Sequence, residues 1–109
     1  MLTLDIWLES ELKESYLTAL EGYVFKEFTV LKVTKHEFEP IGLTKIFILS
    51  ESHCAIHTYP ENNFLSFDLF ICNENIDLEN VTAEILNIFP VSQHQTNILN
   101  RGIPLGKCK

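Results

Sequence analysis

The chain has 109 residues, 46% of them hydrophobic, with twelve aromatic side chains and only four glycines and four prolines. At roughly 100–200 residues per domain this predicts a single compact domain over 1–109, and it excludes disordered and fibrous classes. Fifteen acidic against eight basic residues give a net charge of −7, and no Lys or Arg cluster exists to neutralise phosphates, so nucleic acid is not an expected partner.

The N-terminal residues lack the basic and apolar regions of a secretory signal, and no apolar run reaches the roughly 20 residues of a membrane span. A cytoplasmic protein with no membrane partner is expected. Residues 2–8 alternate apolar and polar, which predicts a strand. Ser10 then precedes a run with Leu12, Tyr16, Leu17 and Leu20 at helical spacing, closed by Gly22. Residues 28–36, 44–50, 54–58 and 64–72 are rich in β-branched and aromatic residues and predict four more strands. Asp77 is placed to cap a second helix, with Leu78, Val81, Ile85 and Phe89 on one side and Pro90 as its stop. The tail after residue 90 is weakly patterned.

Two helices and about five strands, several joined by connections too short for a parallel crossover, predict an α+β fold: an antiparallel sheet with helices packed on one face in a two-layer sandwich. Side chains alternate between the two faces of a strand. In 64–72, Leu65, Phe67, Leu69 and Ile71 form one apolar row for the core, and Phe64, Ser66, Asp68, Phe70 and Cys72 form a mixed row opposite. In 53–59 the corresponding mixed row is His53, Ala55, His57 and Tyr59. A sheet face carrying His, Cys, Asp and aromatic rings suits a site or a subunit interface.

The three cysteines, Cys54, Cys72 and Cys108, are odd in number and contain no C-x-x-C pair, which speaks against a disulfide framework. Reactive side chains are densest in residues 50–61, Ser-Glu-Ser-His-Cys-Ala-Ile-His-Thr-Tyr-Pro-Glu. A metal site built from His53, His57 and Cys54 or Glu61 has the right donor types. On a strand, however, the two histidines stand about 13 Å apart and Cys54 points to the other face. No metal is therefore expected. A Ser or Cys hydrolase has Ser52 and His57 to start from, but no G-x-S-x-G elbow. Packing explains any one of these residues taken singly.

The run 49–61 followed by Phe67-Asp68-Leu69-Phe70-Ile71-Cys72 resembles the self-processing segment of the prokaryotic S-adenosylmethionine decarboxylases, S-E-S-H-x-x-I-H-T-W-P-E and then D-x-F-T-C-G. His36-Glu37-Phe38-Glu39-Pro40-Ile41-Gly42-Leu43-Thr44 is similar to the family's H-x-F-x-P-x-G-x-S stretch, so the likeness covers residues 36–72, with Arg101-Gly102 compatible downstream. Thr44 stands where a serine is common, Tyr59 where a tryptophan is, Ile71 where a threonine is, and Asn73 where a glycine is.

The resemblance implies a self-cleaving zymogen. Ser52 would attack the carbonyl of Glu51, His57 would act as processing base, and Thr44 would offer a hydroxyl to the oxyanion. Cleavage between 51 and 52 would leave a pyruvoyl group from Ser52, with no metal or external organic cofactor. That group would hold the substrate amine as a Schiff base during decarboxylation. The resemblance further implies Cys72 as proton donor, Phe38 and Tyr59 against the adenine and sulfonium of S-adenosylmethionine, and Glu61 on its ribose hydroxyls. A homodimer, with two copies building each site, and a place in spermidine biosynthesis are implied in the same way. A pyruvoyl-dependent ornithine or arginine decarboxylase, and a non-catalytic paralogue, are the alternatives.

Overall fold

The computed structural model describes residues 1–71 and 76–99. Its elements are β1 (Leu2–Leu8), α1 (Glu14–Glu27), β2 (Val30–Glu37), β3 (Leu43–Leu49), β4 (Ser52–Tyr59), a 3-10 turn (Pro60–Asn62), β5 (Phe64–Phe70), α2 (Leu78–Leu86) and β6 (Val91–Ile98). The six strands form one sheet in the order β2-β3-β4-β5-β1-β6, and every neighbouring pair is antiparallel.

The alternation read in β1 and β5 is the alternation of burial. Leu2, Leu4, Ile6, Leu65, Phe67 and Leu69 are fully buried. They join Phe47, Leu49, Cys54 and Ile56 and the helix residues Leu20, Val24, Val81 and Ile85 in one core. Both helices therefore cover the same face. Lys45 at the sheet and Glu21 on α1 form a 2.7 Å ion pair across this layer. The opposite face is left with Thr3, Asp5 and Trp7, with His53, Ala55, His57 and Tyr59, and with Phe64, Ser66, Asp68 and Phe70, none of them buried.

Three expectations are corrected. α1 begins at Glu14 behind Lys13, which provides no side-chain cap, and it runs past Gly22 to Glu27. A mid-helix glycine costs about 1 kcal/mol. Burying Val24 one turn after Leu20 outweighs that cost. The second correction is β6, a sixth strand paired to β1 along its whole length. It lies at the sheet edge with six of its eight residues, polar ones among them, exposed, so it is held by backbone pairing that no apolar alternation announces. Third, β5 ends at Phe70. The cap on α2 is as read: Asp77 Oδ1 accepts from the backbone N–H of Glu79 at 3.0 Å and of Asn80 at 3.3 Å.

Candidate active site

β3 and β4 form a hairpin in which Leu49 pairs with Ser52, so Ser50 and Glu51 are its two-residue tip. The N–H of Ser50 donates to the carbonyl of Thr29 at 3.1 Å, tying that tip to the start of β2. Glu51 has φ +61°. A two-residue turn with its second residue in the left-handed region favours Gly or Asn there. With a Cβ, this conformation costs roughly 1–2 kcal/mol. The strained residue is the one whose carbonyl belongs to the 51–52 peptide bond.

At the other end of the same two strands, Thr44 and His57 are register partners. Their side chains meet: Thr44 Oγ1 and His57 Nδ1 are 2.9 Å apart in a partly buried position. Ser66 of β5 is the partner of His57 on its other side, so a hydroxyl flanks the imidazole on both neighbouring strands. The aromatic candidates share this end. Phe38 follows β2, its N–H donating to the carbonyl of Gly42 at 2.9 Å. Its ring stands 4.6 Å from that of His36. Gly42 has φ +111°, and a Cβ there would lie 3.4 Å from the carbonyl oxygen of Thr58 and 3.7 Å from Phe38 Cβ. Glycine therefore lets the 38–42 loop fold back against β4. Phe38 and Tyr59 remain 49% and 42% exposed, open to a flat ligand.

Tyr59 packs at 5.5 Å on Phe64, which packs at 4.9 Å on Trp7. This aromatic row across three strands was not legible as a unit. Its members are far apart in sequence and are joined only by the register Tyr59 with Phe64 and Phe64 with Trp7. Glu61 follows in the 3-10 turn, exposed beside Tyr59.

The sequence-derived residues thus form two groups. Phe38, Thr44, His57, Tyr59 and Glu61 gather at one end of the sheet, and Glu51 and Ser52 sit at the other. Five residues of one strand separate Ser52 from His57, about 16 Å, and odd spacing turns their side chains to opposite faces. A single chain does not bring the expected base to the expected nucleophile. Cys72 lies outside the described residues, as do Asn73, Arg101, Gly102 and Cys108.

His53 and His57 share the outer face while Cys54 is fully buried on the inner one. Among the described residues no three His, Cys, Asp or Glu side chains gather to hold a metal ion, and no helix is long and apolar enough to cross a membrane. Burial, and secondarily the Asp68 charge, push the Cys54 thiol far up, so it stays protonated and inert. A cavity of about 420 Å³ opens on the helix side, lined by residues that include Leu17, Glu21, Phe38, Gly42 and Lys45. Only Phe38 is common to that cavity and the candidate groups.

Comparisons with known proteins bear on the family and the fold. The family model of S-adenosylmethionine decarboxylase matches residues 9–102. An S-adenosylmethionine decarboxylase proenzyme 2 from Bacillus cereus is 42% identical over 74 residues, 68% of this chain and 60% of that protein. A proenzyme of the same name from Methanococcus vannielii is 36% identical over 75 residues, 69% of this chain and 62% of its own length. The match thus spans about 60% of the length of these relatives. The crystal structure of the adenosylmethionine decarboxylase from Aquifex aeolicus superposes with a TM-score of 0.75 at 22% identity, covering 94% of this chain and 88% of that one, which establishes the shared α+β fold. By the extent of the family match, the chain belongs to the S-adenosylmethionine decarboxylase family.

Proposed function

We propose that this chain is a self-processing proenzyme that cuts its own Glu51–Ser52 bond and becomes a pyruvoyl-dependent decarboxylase of S-adenosylmethionine. The observation that carries this reading is the Glu51–Ser52 junction itself: a strained, non-glycine residue with φ +61° directly before a serine, at a hairpin tip. Ser52 Oγ adds to the Glu51 carbonyl carbon, the peptide C–N bond breaks, and the acyl group passes to oxygen as an ester. Leaving the left-handed conformation releases about 1–2 kcal/mol toward that rearrangement. A base then takes the Cα proton of residue 52 and the electron pair expels the Glu51 carboxylate. The dehydroalanine so formed adds water and loses ammonia.

The residues present fit a pyruvoyl group at position 52. The register from Leu49–Ser52 to Leu43–Thr58 keeps the new chain start paired to β3 after scission. When formed, the ketone supplies an electrophile for the substrate amine and a sink for the electron pair left as carbon dioxide departs. Phe38 and Tyr59 offer faces to adenine and the sulfonium, and Glu61 offers acceptors to ribose hydroxyls. Cys72 takes the role of proton donor from the motif alone.

The proposal includes a homodimer in which the outer sheet faces of two copies meet about a two-fold axis near the middle of β4. Such an axis exchanges the ends of the strand and brings His57 of one copy to the end of β4 where the backbone of residue 52 of the other begins the strand. The 16 Å separation within one chain supports it, as do two isoleucines on that face, Ile46 and Ile48, left 39% and 44% exposed. Release of labelled carbon dioxide from carboxyl-labelled S-adenosylmethionine, ornithine and arginine tests the substrate. Release from S-adenosylmethionine alone is expected. Release only from ornithine or arginine reassigns the substrate, and release from none leaves a non-catalytic member of the family.

A further inference from the structure

One ionisable side chain of the outer face has no part in the chemistry so far. Asp68, on β5, is the register partner of Ala55 on β4 and of Thr3 on β1. Ala55 is flanked on its own strand and face by His53 and His57, so the carboxylate lies diagonal to both imidazoles, with only a methyl group between them. Diagonal neighbours across a strand pair have Cβ atoms about 7–8 Å apart, within reach of long and aromatic side chains.

The other groups facing it are few. Asp5 is diagonal to it across β1, and the rest of the outer row on β1, β4 and β5 is Thr3, Trp7, Ala55, Tyr59, Phe64, Ser66 and Phe70. None of these is a Lys or Arg. His53 packs its ring at 5.6 Å on Phe70, away from Thr44, whereas His57 has its Nδ1 held by Thr44. Of the two histidines, His57 is the one oriented for proton transfer.

We propose that Asp68 is the positioning residue of the processing base: its carboxylate lies where positive charge develops on His57 as the ring takes the Cα proton of residue 52. The proposal rests on the self-processing reading above and adds a residue to it. The proton leaves Cα for His57 Nε2, the electron pair expels the Glu51 carboxylate, and Asp68 stays ionised throughout. Its role is electrostatic, and partial burial strengthens it by limiting solvent screening. Burial raises the Asp68 carboxyl above its ordinary value while His57 draws it down, Asp5 raises it, and His53 draws it down, so the carboxylate and the His57 ring interact.

The test is the pH profile of chain scission in parent, Asp68→Asn and Asp68→Glu proteins, followed by denaturing electrophoresis. Asp68→Asn is expected to lower the plateau rate about ten-fold and to move the midpoint of the rise to lower pH, with Asp68→Glu restoring the midpoint. A purely structural role lowers the rate without moving the midpoint, and an unmoved midpoint overturns the proposal. A parent chain that never cleaves defeats the self-processing reading instead. The His57 Cε1–H resonance of uncleaved Ser52→Ala protein then decides the matter: a titration unchanged by Asp68→Asn overturns the Asp68 role. If Asp68→Asn fails to fold, the Asp68 carboxyl carbon of the Ser52→Ala protein must show a step at the His57 titration, and its absence overturns the role equally.

Discussion

Thr44 Oγ1 lies 2.9 Å from His57 Nδ1 across the β3–β4 pair, so with Nδ1–H donating to the hydroxyl it is Nε2 that accepts a proton. The contact fixes a ring that would otherwise rotate on an open face. Removing one such hydrogen bond costs about 1 kcal/mol, so Thr44→Val is expected to slow scission roughly five-fold. Thr44→Ser keeps the hydroxyl and stays near the parent rate. Loss of the base itself in His57→Ala is expected to slow scission by about 10²–10⁴-fold. Time courses of chain scission at constant pH measure all three.

The separation of Ser52 from His57 gives a complementation experiment. A Ser52→Ala chain keeps His57 and cannot be cut; a His57→Ala chain keeps Ser52 and lacks its base. Mixed and refolded together, the two are expected to cut the His57→Ala chain at up to half the parent extent. Each alone remains whole or cleaves at the residual rate. Mass spectrometry of the mixture distinguishes the fragments, and an uncut mixture rules out the exchange of strand ends across a two-fold axis.

Strain at the hairpin tip is measurable apart from chemistry. In a Ser52→Ala background that keeps the chain whole, Glu51→Gly removes the clash of a Cβ at φ +61°. The uncleaved protein is expected to gain about 1 kcal/mol in chemical denaturation. Glu51→Val is expected to lose a comparable amount, because a branched Cβ tolerates the left-handed region least.

Much of this architecture is legible in the sequence because period-2 burial is local. The inner rows of β1 and β5, the outer His53-Ala55-His57-Tyr59 row and the Asp77 cap all follow from residues close together in the chain. β6 is not legible, since Ser92 to Asn97 form a polar edge whose stability comes from pairing with Trp7 through Thr3. The end of α1 is misread at Gly22 because a single glycine is both a stop signal and a tolerable helix residue. The aromatic row Trp7-Phe64-Tyr59 needs the strand order before it can be seen. The two-ended site is different: the five-residue spacing of Ser52 and His57 is plain in the sequence, and their separation follows once both are on one straight strand.

Asp68 also links stability to pH. Burial raises its folded-state carboxyl above the ordinary value. The folded protein therefore binds this proton more tightly than the unfolded chain does. The stabilising contribution is fully present below the unfolded-state value and is lost as pH rises through the folded-state one. Asn carries no charge at any pH. In the Ser52→Ala background, the Tm difference between Asp68→Asn and its parent is expected to be more positive at pH 7 than at pH 3, as thermal melts at the two values measure.

Cys54 serves as an internal control for the inner face. With its thiol pushed far up by burial, it is expected to resist iodoacetamide at pH 8 in folded protein and to react fully in denaturant, as peptide mapping shows. Cys54→Ala is expected to cost about 1 kcal/mol of stability and to leave scission intact.

The intact mass of freshly purified protein, with and without a hydrazine to trap a ketone, is the most direct measurement of all. Two chains are expected, one ending at Glu51 and the other beginning at position 52 with a ketone that the hydrazine captures. A single stable chain of 12.6 kDa, unchanged by long incubation and untouched by the hydrazine, would contradict self-processing outright.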